Sequence, residues 1–365
     1  AIWLGLVGSE MCIRDRTTSA SPKLSVVITN YNYAAFVATA IDSVLSQDVE
    51  IELVVVDDCS KDNSRDIIRS YGDRIIPVLQ DVNQGHGGGF NAGYARTTGD
   101  LVMFLDADDF LLPGAGKTIL SNYDPDIGMY LYRMNYADEQ GTLGGLFPPP
   151  QVPLADGDVA AQLREMGHYS GTITSGLVYT RTALEQVMPM DSETFRQGGD
   201  GYLSATVPLH ATAKGFDQPI SAYRLHGSQH SQFAKAYAKR ARWRIGHQQA
   251  CFDCIRDHAA RQGLPTAEDL GERDPGHLQE RLVSLLFEPK LHPVSTDTRA
   301  GLLRKLRAAN RERFGGKALA RNAWWILIGL LPNGAARTVL SWKIDVAARP
   351  AWMNRLGRTL RKRLG

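Results

Sequence analysis

Residues 24–58 read LSVVITNYNYAAFVATAIDSVLSQDVEIELVVVDD, and this stretch decides the fold. Residues 24–29 are a β-branched run between Pro22 and Asn30, the composition of a strand buried on both faces. Phe36, Val37, Ile41, Val44 and Leu45 then recur at helical spacing. Residues 51–56 form a second apolar run, closed by Asp57 and Asp58. Working outward, Ser64 caps a helix carrying Ile67, Ile68 and Tyr71, and Gly72 ends it. Residues 74–79 read as a third strand, placed at an edge because Pro77 cannot donate to a ladder. A glycine-rich loop and a short helix follow, and residues 101–105 are a fourth strand. This alternation predicts an α/β fold with a doubly wound, mostly parallel sheet, its functional loops lying beyond the strands' carboxyl ends.

Past residue 125 the pattern loosens. Strands are expected at 127–136 and 141–147, around a turn at 138–141, and again at 172–179 and 220–225. Residues 158–166 and 200–213 read as helices, and beyond Ser231 the chain is almost wholly helical. The expected organisation is a leader at 1–20, an α/β domain at 21–230 and a helical, basic region at 231–365. The leader reads as non-native or disordered: LGLVGSEMCIRDR looks like translated adaptor sequence, and the short apolar run before it lacks a basic flank.

Composition is that of a soluble globular chain, 43% hydrophobic and 22% charged. The net charge of +2 conceals an asymmetry, because residues 301–365 hold fifteen Lys and Arg against two Asp and Glu. An anionic surface is the expected partner of that tail. Within it, residues 324–331 are eight apolar residues, far short of the roughly 20 that a bilayer span needs. Peripheral contact with a membrane face through 301–365 is therefore expected, with no nucleic-acid partner; a packed core helix is the alternative for 324–331. Four scattered cysteines form no disulfide framework and point to a reducing, cytoplasmic setting. Cys251 and Cys254 sit three apart in a helical stretch without a matching ligand pair, and read as inert thiols.

The sharpest chemical signal is Asp106-Ala107-Asp108-Asp109, directly after the fourth strand. Carboxylates so close repel one another unless a cation joins them, and a hard ion such as Mg²⁺ or Mn²⁺ leaves positions for phosphate oxygens. An acidic turn capping the next helix is the plainer reading. Asp57-Asp58 ends another strand on the same rim, where a carboxylate can accept bonds from a ribose or base. Two phosphate-loop lookalikes fail. Gly116-Lys117-Thr118 lacks the first glycine of a Walker loop, since residue 111 is Leu111. Gly87-x-Gly89-x-x-Ala92 follows the third strand, whereas residues 30–33 after the first strand hold no glycine, which argues against a dinucleotide dehydrogenase. The glycines at 85–89 fit close approach of backbone to a nucleotide instead.

Three segments, LSVVITNYNYAAFVATAIDSVLSQ, IELVVVDDCSKDNS and NQGHGGGFNAGYARTTGDLVMFLDADD, resemble the nucleotide-binding half of the family 2 glycosyltransferases. The resemblance covers about ninety residues in the family's order. It implies a GT-A-type fold, a nucleotide-diphosphate-sugar donor, an inverting transfer to a saccharide or lipid-linked acceptor, and Mn²⁺ or Mg²⁺ as cofactor. It further implies that Thr29, Asp58, Gly85 and Asn91 serve the donor and that Asp106 and Asp108 are the family's DxD element, with Asp109 beside it at the metal. Where many members have Arg before that Asn, this chain has Phe90, so His86 or Arg96 would have to replace it. RQGGDGYLSATVPLHATAKG resembles the family segment that carries the catalytic base, which falls on Asp200. AYRLHGSQHS resembles a later motif whose His completes the metal site, which falls on His226; Tyr223, Arg224 and His230 are weaker candidates. A sugar-phosphate nucleotidyltransferase and a non-catalytic nucleotide-sugar binder are the competing functions.

Overall fold

The computed structural model describes residues 21–227, 237–344 and 350; the expected leader, His230 and the basic residues beyond 350 lie outside it. The strands are β1 (Leu24–Asn30), β2 (Ile51–Asp57), β3 (Ile76–Leu79), β4 (Leu101–Asp106), β5 (Phe110–Leu111), β6 (Ile127–Ala137), β7 (Leu143–Phe147), β8 (Leu177–Thr180) and β9 (Thr212–Arg224). They form one sheet in the order β3-β2-β1-β4-β8-β6-β9-β5, with β7 added on β6. β3, β2, β1 and β4 are parallel, and β6 and β9 run with them; β8, β5 and β7 are antiparallel to their neighbours. The sheet is thus mixed and mostly parallel, with β3 at an edge, as Pro77 requires.

The helices are α1 (Val37–Leu45), α2 (Ser64–Ser70), α3 (Gly85–Tyr94), α4 (Ala115–Ser121), α5 (Ala160–Met166), α6 (Arg181–Leu184), α7 (Gly199–Thr206), α8 (Tyr237–Arg261), α9 (Pro275–Phe287), α10 (Arg299–Phe314), α11 (Ala318–Leu330) and α12 (Asn333–Ile344). Alternate side chains of the parallel strands feed two cores. Val26, Ile28, Val55 and Met103 pack with α1 through Val37 and Ile41 on one face. Val27, Val54, Val56 and Phe104 meet Phe90 of α3 and Leu203 of α7 on the other. Both faces are covered, which is why these strands read as unbroken apolar runs.

Two expectations needed correction. The glycines of 85–89 form the first turns of α3 and not a loop. Glycine is a poor helix former, so packing holds this helix: a Cβ on Gly87 would stand 2.7 Å from the Phe195 carbonyl oxygen, and one on Gly93 2.2 Å from Val27. The helix expected over 200–213 stops at Thr206. Pro208 supplies no N–H for its continuation, and pairing of Thr212 with Ile127 draws the chain into β9.

The C-terminal helices build a third core from Leu278, Leu282, Leu306, Trp325, Ile328 and Leu340. α8 joins it to the sheet: Ala241 lies in the helical core, whereas Cys251, Phe252 and Ile255 lie in the sheet core. The run at 324–331 is part of α11. It packs through Trp325 and Ile328, so Trp325 is buried and not available to a membrane interface. Its other side exposes Leu319, Ile326, Leu327 and Leu330. Among the described residues, no helix is long and apolar enough to cross a membrane.

Candidate active site

Strand register assembles the site. Thr29 pairs with Val56 on one side and Asp106 on the other, and Asn30 pairs with Asp57. The carboxyl ends of β1, β2 and β4 therefore share one level, as the crevice rule for open α/β sheets requires. A pocket of about 410 Å³ opens there, and its walls include Thr29, Asp58, Gly85, Asp106, Asp108 and Asp200. Segments far apart in sequence meet in it.

The wall at the end of β2 is braced by Asp58. Its two carboxylate oxygens accept from the backbone N–H groups of Gln84 at 2.6 Å and Gly85 at 2.8 Å. Burial outweighs those bonds and raises its pKa from the ordinary value. Gly85 is obligatory on two counts: its φ is +79°, and a Cβ would stand 2.3 Å from the Arg196 carbonyl oxygen. Asp57 is a clasp instead of a ligand. It accepts from Asn30 Nδ2 at 2.8 Å and Ser60 N at 3.0 Å, and is fully buried.

The acidic loop sorts its three carboxylates by role. Asp106 and Asp108 face the pocket. Asp108 Oδ2 lies 3.0 Å from Nε2 of His226, whose buried ring packs against Phe36 at 4.4 Å and Tyr33 at 5.6 Å. Asp109 turns away and accepts from Arg224 N at 3.0 Å, leaving Oδ2 buried without a hydrogen-bond partner. Burial, reinforced by Asp108 and Asp106, pushes its pKa well above the carboxylate range. Arg224 is the strut behind the loop: its Nε donates to the Asp108 carbonyl at 2.8 Å, between the rings of Phe36 and Phe110.

Asp200 enters from the opposite side, in the first turn of α7. Gly198, at φ +79°, sets that turn. Between Asp200 and the acidic loop stands His86. Its Nδ1 accepts from Gly199 N–H at 3.2 Å, which leaves the proton on Nε2, 3.3 Å from Asp106 Oδ1. Burial opposes protonation, but the bond to Asp106 and the fields of Asp106, Asp200 and Asp108 prevail and raise the His86 pKa. The His86 ring sits on Phe90 at 4.2 Å, and Phe90 stacks on Phe104 at 4.0 Å. Of the two replacements considered for the missing Arg, His86 lines the pocket, whereas Arg96 is exposed beyond the far end of α3.

Asn91 is not among the residues that line the pocket. Its amide donates to the Met190 carbonyl at 2.8 Å and accepts from Met190 N at 3.0 Å, tying α3 to the segment before α7. Tyr223 does line the pocket. Sequence reasoning missed one wall entirely: Arg240, Trp243 and Arg244 of α8 also face the cavity, with Arg196 near them. Their i, i+3, i+4 spacing was a visible signal, but one that reads equally as a solvated helix face.

Residues 25–143 match the family model for glycosyl transferase family 2. The chain is 37% identical over 214 residues to an uncharacterized glycosyltransferase of Nostoc sp., covering 56% of this chain and 66% of that one. It is 30% identical over 169 residues to the GalNAc(5)-diNAcBac-PP-undecaprenol beta-1,3-glucosyltransferase of Campylobacter jejuni, covering 45% and 53%. The match thus spans just under two thirds of the first relative and about half of the second. Among solved structures, S. aureus TarS 1-349 in complex with UDP aligns at TM-score 0.48 and 18% identity, over 87% of this chain and 90% of that one. The mannosyltransferase PcManGT of Pyrobaculum calidifontis, in complex with GDP-Man and Mn²⁺, aligns at 0.48 and 15%, over 92% and 88%. The acidic loop and the glycine helix fall within the matched segment, and residues 25–143 belong to the family 2 glycosyltransferases.

Proposed function

We propose that the chain is an inverting glycosyltransferase that moves a sugar from a nucleotide-diphosphate donor to a hydroxyl of a saccharide or lipid-linked acceptor. One observation carries the reading: Asp106 and Asp108 of one loop and Asp200, more than ninety positions later, face a single pocket at the carboxyl ends of the parallel strands. The nucleoside would lie along Thr29, Asp58 and Gly85, with its diphosphate toward Asp108. Asp200 would accept the proton of the acceptor hydroxyl as that oxygen bonds to the anomeric carbon. The bond from that carbon to the diphosphate oxygen breaks on the opposite face, so configuration inverts. A general base acts when it is placed within hydrogen-bond reach of the proton it takes. His86, with Nε2 3.3 Å from Asp106 Oδ1, would hold that carboxylate by electrostatic attraction.

A divalent ion fits these residues. Asp108 offers hard oxygens and His226 an imidazole, although among the described residues no three His, Cys, Asp or Glu side chains gather into a full ligand set. Asp108 with His226 would hold Mg²⁺ or Mn²⁺, which ordinarily complete a partial protein set with phosphate and water oxygens. Bound there, the ion supplies Lewis-acid stabilisation of the departing nucleoside diphosphate. The name of the Campylobacter relative, with its polyprenyl-diphosphate saccharide, supports a lipid-linked acceptor in surface polysaccharide or glycolipid synthesis. The exposed Leu319, Ile326, Leu327 and Leu330 of α11 and the basic tail support peripheral contact with a cytoplasmic membrane face.

The test is a donor-hydrolysis and binding screen across UDP-, GDP- and dTDP-sugars with Mn²⁺ and Mg²⁺. At least one nucleotide should bind only with metal, and Asp108→Ala should abolish that dependence in a folded protein. Nucleotide affinity that is indifferent to metal removes the Asp108 assignment. Pyrophosphate release from a sugar phosphate and a nucleoside triphosphate would identify a nucleotidyltransferase instead.

A further inference from the structure

Resting on that reading, we infer that Arg240, Trp243 and Arg244 of α8 form the acceptor subsite, and that the acceptor is a saccharide carrying phosphate. The donor's nucleoside takes the ends of β1 and β2, so the acceptor must reach Asp200 from the other side of the pocket. That side is closed by α8, which packs along α7. Three consecutive positions of one helix face, 240, 243 and 244, are pocket wall.

Each side chain on this face has a definite state. Trp243 is 42% exposed although it belongs to a helix that buries Ala241 and Ile245 beside it. Its indole is stacked on His247 with centroids 5.3 Å apart and planes 11° from parallel. The ring is thus held by stacking on His247 while it lines the cavity, and an aromatic ring so placed is a surface on which a sugar can lay its C–H face. The neighbouring arginines are tethered: Arg244 Nη1 donates to Glu280 at 2.7 Å, and Arg242 pairs with Glu288. Arg240 is different. Among the described residues no carboxylate pairs with it, and its Nε is buried without a hydrogen-bond partner. A guanidinium that lines a cavity with no carboxylate beside it can take an anionic group of a ligand as its partner. Guanidinium matches phosphate by paired, charge-assisted hydrogen bonds. A neutral glycan would leave that charge unanswered.

The test uses the full chain and three probes followed by saturation-transfer NMR titration: methyl N-acetylglucosaminide, N-acetylglucosamine 1-phosphate, and N-acetylglucosamine joined to a decyl chain through a phosphodiester. Both phosphorylated probes should bind the parent about tenfold or more tightly than the neutral one, the scale of one charge-assisted bond. Arg240→Gln should erase that preference and Arg240→Lys should keep part of it. Trp243→Ala should weaken all three probes alike. Equal binding of the two phosphorylated probes identifies phosphate itself as the determinant; tighter binding of the decyl probe identifies lipid-borne phosphate. A parent that does not prefer phosphate, or an Arg240→Gln variant that still does, overturns the inference. Metal-dependent nucleotide binding is measured in parallel. If Arg240→Gln loses it while retaining the phosphate preference, the arginine belongs to the donor and the acceptor subsite is refuted. If the parent never binds nucleotide yet shows the Arg240-dependent preference, the subsite stands and the glycosyl-transfer reading fails.

Discussion

The parallel half of the sheet and the C-terminal helices solve the same problem by different means. In β1 to β4 the strands are buried on both faces, so apolar identity is required at almost every position and chemistry is confined to strand ends. In α8 to α12 each helix buries a stripe, and its remaining faces are free to carry charge. The first half can hold a nucleotide rim and little else. The second can place Arg240 and Trp243 against the same pocket while anchoring itself through Ala241 and Phe252. On the reading proposed above the sheet recognises the donor and the helices the acceptor, and that division can be attacked at several points.

The largest effect is expected at the seam. Asp200→Asn is nearly isosteric, so transfer should fall by about 10²-fold or more while nucleotide binding is retained. Steady-state transfer set beside nucleotide calorimetry checks this; a rate within a few-fold of the parent would reduce Asp200 to a helix-turn residue. Next comes the stability of the helical side toward acid. Burial pushes His258 and His277 down to about 4. In the unfolded chain they protonate near the usual value of about 6.5, so between those limits the unfolded state holds more protons. Stability present above pH 6.5 therefore drains as pH falls toward 4, by about 2 kcal/mol after discounting for solvent screening. Urea midpoints near pH 7 and near pH 5 measure it, and His277→Gln should flatten the slope. A slope unchanged in that variant would move the acid sensitivity elsewhere.

A smaller effect is expected where α8 touches the Asp200 turn. A Cβ at Gly201 would stand 2.2 Å from His247 Nε2, so Gly201→Ala must push that imidazole aside or shift the Asp200 turn. Transfer should drop about tenfold, the scale of a small misplacement of a reacting group. Adding His247→Ala should recover part of it. Parental activity in Gly201→Ala would show that the contact is slack. The smallest effect concerns the outer side of α11. Co-sedimentation with anionic vesicles should weaken a few-fold on Leu330→Asp and further at high salt, because the tail's attraction is screened over about 8 Å. Equal pelleting with neutral vesicles, or none with either, would remove the membrane contact.

How much of this was legible follows the same division. The runs at 24–30, 51–57 and 101–106 could be read because double-sided burial leaves one kind of residue, and the rim carboxylates followed from strand ends. The roles within the acidic loop were not readable. Whether Asp109 faces the pocket or Arg224 depends on β9, more than a hundred residues away. Asn91 looked like a donor contact, yet its partner is the backbone of Met190, and backbone carries no sequence signal. The glycines of α3 misled for a related reason: they are helical because Phe195 and Val27 press on them, a pressure invisible in the local sequence. The α8 wall was missed because a charged helix face looks the same whether it meets water or a ligand.

The bare backbone at Gly198 and Gly201 has a consequence for recombination. Both glycines leave room for the imidazole of His247, whose ring would lie 2.6 Å and 2.2 Å from any added Cβ. The turn that carries Asp200 and helix α8 are therefore cut to one another's shape, although Gly201 and His247 lie 46 positions apart in the sequence. A chimera spliced between them, taking its sheet from one relative and its helices from another, would inherit a mismatched hinge of flesh and socket. The exchangeable cassette for altering acceptor choice runs from the segment before α7 through the end of α8, and grafts that respect it should retain turnover where grafts joined just before α8 lose it.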